Sequence, residues 1–185
     1  MDFRANVRRI LSQYAAVTVA NTANETSLLS PSMRGNPVLP GGMFSVRGRD
    51  FRVRARGFYS ASGARTLQLR LKMTDSGVPT TLLLDTGAIA GSFLGAAANY
   101  SWQLDADVVC FTPGAAGSLY GQGVAHFVVQ QGSLGAAPQL FGMPLTAPVA
   151  MKLDGALTLD LTAQWGAANA AESISCTGLT AELLS

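Results

Sequence analysis

Apolar and polar residues alternate along most of this chain with the two-residue period of a strand. The cleanest run is Thr66-Leu67-Gln68-Leu69-Arg70-Leu71-Lys72-Met73, and Leu157-Thr158-Leu159-Asp160-Leu161-Thr162-Ala163-Gln164-Trp165 repeats the pattern. Successive strand side chains point to opposite faces, so these runs predict antiparallel strands with one buried and one wet face. In 100–111, Trp102, Leu104 and Ala106 fall on one side and Gln103, Asp105 and Asp107 on the other. Phe51, Val53 and Ala55 alternate with arginines in the same way. Val17–Thr22, Asn24–Leu29, Thr80–Asp85, Ser118–Gln131 and Ile174–Leu184 read as further strands. Turn chemistry separates them at Ser30–Pro37, Pro40-Gly41-Gly42, Asp75-Ser76-Gly77 and Pro113–Gly117, the last a hairpin loop. Residues 132–148, rich in Gly, Ala and Pro, read as a long loop. About eight short strands with frequent turns predict an all-β fold, an antiparallel β-sandwich of jelly-roll type spanning 17–185.

Residues 1–16 are set apart. Phe3, Val7, Ile10, Leu11 and Tyr14 recur at helical spacing and Asp2 is placed to cap, which predicts a short amphipathic helix, with an extended arm as the alternative. A helix of that length is unstable alone and needs a surface to dock on.

Composition adds a reason to expect partners. Of 185 residues, 48% are hydrophobic and only 13% charged, against about a quarter charged in ordinary soluble domains. So little charge implies that partner subunits cover much of the surface. The net charge of +2 is too small to argue for nucleic acid, and no apolar run reaches membrane-spanning length. The basic residues lie early: Arg4, Arg8 and Arg9, then Arg47, Arg49, Arg52, Arg54 and Arg56, with Lys152 alone beyond Lys72. The candidate partner contacts are therefore Phe3, Arg4, Val7, Arg8, Arg9, Ile10 and Leu11 of the arm, with Arg47 and Arg49. The competing reading is that alternate arginines simply form the wet face of a strand.

Chemistry-bearing patterns are few. Cys110 and Cys176 sit in apolar strands and read as small buried hydrophobes, with a disulfide left open. His126 is the single histidine, so no metal-ligand spacing exists and no cofactor is expected. His126 alternates against apolar strand neighbours, which favours a structural or exposed histidine over a catalytic one. Charged residues interrupt the first ten positions, so no secretory leader is expected there. Trp102 and Trp165 read as core anchors.

One motif could carry a reaction. Leu82-Leu83-Leu84-Asp85-Thr86-Gly87-Ala88 resembles the signature of retropepsin-type aspartic proteases, in which two copies bring two carboxylates together to share a proton. Leu140-Phe141-Gly142 lies where that family has its apolar-apolar-glycine step. The helix that should follow is replaced by Met143-Pro144-Leu145-Thr146-Ala147-Pro148, whose prolines favour an extended or turning path. Asp-Thr-Gly after an apolar strand is also an ordinary strand-to-loop turn. The expectation is a chain with no catalytic residues.

Two longer stretches resemble a known group. They are Tyr100-Ser101-Trp102-Gln103-Leu104-Asp105-Ala106-Asp107 with the Thr112–Ser118 turn and Gly121-Gln122-Gly123, and Leu157–Ala170 with Ser173-Ile174-Ser175-Cys176-Thr177. Together with Ala20–Leu29 they resemble small virion structural proteins of tailed bacteriophages. The resemblance covers most of 17–184 and leaves out residues 1–15. It implies a jelly-roll module that forms homotrimers on the virion exterior, either a capsid decoration (cement) protein bound to the major capsid protein or other virion proteins, or a head- or tail-fibre module for host receptors. It implies synthesis in the bacterial cytoplasm, Asp85 as a structural turn residue, and no cofactor.

Overall fold

The computed structural model describes residues 8–30, 38–75, 81–129, 138–144 and 147–184. The strands in chain order are β1 (Arg8–Gln13), β2 (Val17–Ala20), β3 (Thr26–Ser27), β4 (Val38–Leu39), β5 (Asp50–Ser62), β6 (Leu67–Asp75), β7 (Thr81–Asp85), β8 (Ala96–Thr112), β9 (Ser118–Phe127), β10 (Gln139–Pro144), β11 (Val149–Ala150), β12 (Leu157–Trp165) and β13 (Ser173–Leu184). One short helix, α1 (Gly91–Leu94), precedes β8.

The strands form two antiparallel sheets. The larger runs β1-β13-β5-β8-β9-β10, with β2 also on β13 and β11 also on β9; the smaller runs β3-β12-β6-β7, with β4 also on β12. The first and last strands pair, and the chain passes from sheet to sheet at β2–β3, β4–β5, β5–β6, β7–β8, β11–β12 and β12–β13. That is the strand order of a jelly roll, here widened by β9 and β10 beyond β8.

Alternation gives each long strand one inward face. In β6 the buried apolar residues are Leu67, Leu69, Leu71 and Met73, and in β12 Leu157, Leu159, Leu161, Ala163 and Trp165. They meet Phe51, Val53, Tyr59, Trp102, Leu104 and Phe127 from the larger sheet in one core. Trp102 and Trp165 are both buried, as their alternating settings predict. Trp102 Nε1 donates to the Ser175 carbonyl at 3.0 Å. It crosses strand β5 at Gly57, where a Cβ would lie 1.7 Å from that same oxygen, so only glycine fits. Cys110 and Cys176 are free and buried, and burial pushes the Cys176 thiol up to about 11.

Three expectations need correction. Over its described part the N-terminal segment is a strand: Arg8–Gln13 pairs with β13. The register jumps between Arg9 and Leu11, so Ile10 is the extra residue of a bulge. The bulge turns adjacent Ile10 and Leu11 both toward the core, and this imitates a helical spacing. The sandwich therefore begins by Arg8 and not at residue 17. Within the expected long loop, Gln139–Pro144 is a strand on β9; its short alternation of Leu140 and Gly142 outward against Phe141 and Met143 inward is masked by the Gly/Pro-rich surroundings. Helix α1 had no sequence pattern because four residues cannot show helical periodicity.

Candidate functional site

The outer face of the larger sheet carries rows of side chains set by register. Arg52, Arg54 and Arg56 point outward from β5. On β8 they face Asp107, Asp105 and Gln103. Arg52 Nε donates to Asp107 at 2.7 Å and its Nη2 to the second oxygen at 3.3 Å; the bond to Asp107 raises the arginine's pKa. Arg54 Nε donates to Asp105 at 3.0 Å. The third rung breaks the pattern, because Gln103 is neutral. Among the described residues the Arg56 guanidinium and the Gln103 amide have no hydrogen-bond or ion-pair partner.

A depression of about 320 Å3 opens at this third rung. Its cause is local. Opposite Arg56 on β13 stands Gly178, just past a bulge between Cys176 and Gly178. The rung lacks a side chain there, and Arg56 lies across the gap; a Cβ on Gly178 would sit 3.3 Å from Arg56 Nε. Tyr14, just beyond β1, forms one wall and is 69% exposed. Arg9 Nη1 donates to the Tyr14 hydroxyl at 3.2 Å, and Arg9 Nε lies 3.6 Å from Glu182. Gln13 anchors the floor: its amide donates to the Leu28 carbonyl at 3.0 Å and accepts from the Ser30 N–H at 2.7 Å. Gln103 also lines a neighbouring hollow of about 170 Å3 with His126, Ser101 and Pro138.

The candidate contacts named from the sequence separate. Arg9 lines the groove. Arg8 is exposed on the same edge strand. Leu11 is a core residue and Ile10 packs on that core, so neither is offered to a partner. Arg49 donates to the Met43 carbonyl at 2.9 Å, and the Arg47 guanidinium lies 4.9 Å from the Phe111 ring centre. Phe3, Arg4 and Val7 lie outside the described residues. Arg56, Gln103 and Tyr14 were not singled out as a set. Writing 52-54-56 antiparallel to 107-105-103 would have shown two acid partners and then a neutral one.

Asp85 ends β7 on the smaller sheet. Its carboxylate accepts from the Gly87 N–H at 2.7 Å and from Gln68 Nε2 at 2.8 Å, with Arg70 Nε at 3.3 Å. Gly87 has φ +65, so the Asp-Thr-Gly triplet here is an Asx-type turn with glycine at the left-handed position.

No family model matches the chain, and neither does any curated protein. Among solved structures it is similar to the CBM2 module of the evolved Dit of Lactobacillus casei BL23 phage J-1, at 9% identity and a TM-score of 0.35, covering 97% of each chain. At that score the likeness adds nothing to the jelly-roll assignment, which rests on the strand pairing.

His126 is half-buried beside Gln103 and faces Leu140 across the β9–β10 pair. No group of three or more His, Cys, Asp or Glu able to hold a metal occurs among the described residues. Among the described residues no helix is long and apolar enough to cross a membrane.

Proposed function

We propose that this chain is a structural protein of the bacteriophage virion exterior, a capsid decoration protein that works as a homotrimer bound to the major capsid protein. The observation that carries the self-assembly is the side of the sandwich where β7 and β10 come together. Both are edge strands. The β10 strand, Gln139–Pro144, has no charged residue, and Leu140, Phe93 and Leu82 nearby are 60%, 56% and 41% exposed. Monomers usually blunt such edges with charge, as the opposite edge does with Arg8 and Arg9. A second copy covering this side would account for the low charge of the chain. The jelly-roll order and the sequence resemblance over 17–184 support the phage assignment. Cementing would then be mass action: a protein bound across neighbouring capsid subunits stabilises their assembled state.

The test is the oligomeric state together with particle location. The wild type should sediment as a trimer, Leu140→Glu should sediment as a monomer, and antibody against the chain should label intact particles. A monomeric wild type at micromolar concentration, or its absence from purified particles, would overturn the proposal.

A fibre or receptor-binding module is the second reading. Arg56 and Gln103, which lack side-chain partners among the described residues and lie in an open groove, favour it. Saturable binding of the purified protein to host cells would support it.

We read the chain as non-catalytic. The Asp85 carboxylate is occupied by Gly87, Gln68 and Arg70, which suits a turn residue better than one half of a proton-sharing pair. A pepstatin-sensitive proteolysis lost in Asp85→Asn would sink this reading.

A further inference from the structure

We infer that the groove over Gly178 is a binding site for an acidic sugar residue, with Arg56 as the carboxylate receptor. The site deepens the receptor-binding reading and rests on it for its biological use, although its chemistry can be measured separately.

Charge comes first. Along β5 the protein neutralises Arg52 and Arg54 with aspartates placed opposite and leaves Arg56 facing a glutamine. An arginine presents its donors as a planar fork matched to a carboxylate. Arg56 lies over a residue with no side chain, so its stem is supported while its head has no partner among the described residues. Arg9 and Arg54 also line the cavity of about 320 Å3, but Arg9 lies beside Glu182 and Arg54 is paired with Asp105. Arg56 is the cation left over for one carboxylate, and the volume leaves room for a ring.

The other groups argue for a sugar rather than an acidic protein segment. Gln103 and Thr180 bring an amide and a hydroxyl to the groove, and neither side chain is engaged elsewhere among the described residues. Such neutral groups both donate and accept, as sugar hydroxyls do. Tyr14 offers an exposed ring face against which the C–H side of a pyranose can stack, and the bond from Arg9 fixes its hydroxyl. A protein partner would call for a buried apolar anchor at the centre of the patch. Here the centre is Arg56 and Gln103. Gln13 and the bulges in β1 and β13 hold the walls on sheet structure, so the cavity exists before the ligand arrives.

The experiment is a titration of the isotope-labelled protein, followed by amide shifts, with D-glucuronate, D-glucose and acetate in parallel. Glucuronate should bind with a Kd on the order of 1 mM, as expected for a single sugar ring, and should shift the amides of Gln103, Gly178 and Thr180. Glucose and acetate should each bind at least tenfold more weakly, since each supplies only half of the recognition. Arg56→Gln should weaken glucuronate at least tenfold, and Tyr14→Ala several-fold. Lys152→Gln, which removes a cation outside the groove, should leave it unchanged. Melting curves on each variant separate lost binding from lost fold.

Absence of saturable glucuronate binding by the wild type would overturn the site, as would equal binding by a folded Arg56→Gln. Acetate binding as tightly as glucuronate would also overturn it, by assigning the groove to any carboxylate, including that of a protein partner. Binding of glucuronate without binding to host cells would leave the site standing and remove the receptor-binding reading.

Discussion

The outer faces of the two sheets are built from the same alternation, yet they use their charges differently. On the smaller sheet Arg70 sits at the centre of a closed network. Its Nη1 lies 3.0 Å from Glu25 and 2.8 Å from the Gln164 side-chain oxygen, and its Nε lies 3.3 Å from Asp85. Lys72 also pairs with Glu25, and Thr162 donates to the same carboxylate. Glu25 stands just before edge strand β3 and its carboxylate reaches both cations on β6, which are only 19% exposed. On the larger sheet the ion pairs are wetter, Arg54 being 53% exposed, and the ladder stops one rung short at Arg56. Charge that is half-buried and partnered ties neighbouring strands of the sheet together. Charge left open beside a depression is available to a ligand.

The sharpest way to break this comparison is to remove each face's central arginine. Arg70→Leu takes one partner each from Glu25, Asp85 and Gln164 under partial cover while their other bonds remain, and we expect a loss of about 1–2 kcal/mol in urea denaturation. A loss below about 0.5 kcal/mol would show that the network adds nothing to stability.

Glu25→Gln comes next, and its effect depends on pH. Burial works to raise the Glu25 pKa, but the bonds from Lys72 and Thr162 and the charges of Lys72 and Arg70 outweigh it and hold the carboxyl below its ordinary 4.5. The unfolded chain therefore binds more protons than the folded one in that window. The contribution is fully present above about pH 5.5 and fades as pH falls through 4.5 and below. Glu25→Gln should cost about 1 kcal/mol at pH 7 and should flatten the acid limb of a stability–pH curve. An unchanged acid limb would remove Glu25 from the account.

Arg54→Gln on the larger sheet should cost only about 0.5 kcal/mol, because its pair is solvent-exposed, and raising the salt concentration should erase most of the difference. Arg56→Gln should have the smallest effect, within about 0.5 kcal/mol of the wild type, since no partner is stranded. An Arg56 variant as unstable as Arg70→Leu would place both faces in the same structural class.

Much of the fold was legible because sheets expose their period. Thr66–Met73 and Leu157–Trp165 predicted β6 and β12 almost to the residue, and the pairing of Leu67 with Trp165 and Leu157 with Asp75 sets them in full register. The Pro113–Gly117 loop between β8 and β9 followed from its turn residues. Failure came where one residue altered the period. The bulge at Ile10 made a strand look helical, and the Gly/Pro-rich surroundings hid β10. The groove was less legible than the fold. Each of its residues is ordinary within its own strand, and only Arg9 among the candidate contacts named from the sequence belongs to it.

The sequence by itself determined which side of β5, β6, β8 and β12 is buried, because apolar alternation specifies a face without reference to any partner. It also determined that arginines 52, 54 and 56 share the wet side of β5. Only the tertiary structure decided which of them is neutralised. That depended on the antiparallel register setting 107, 105 and 103 opposite them, and on the β13 bulge bringing Gly178 to the third rung. Register and bulges are relations between segments distant in the chain, and a pattern read within one segment contains neither.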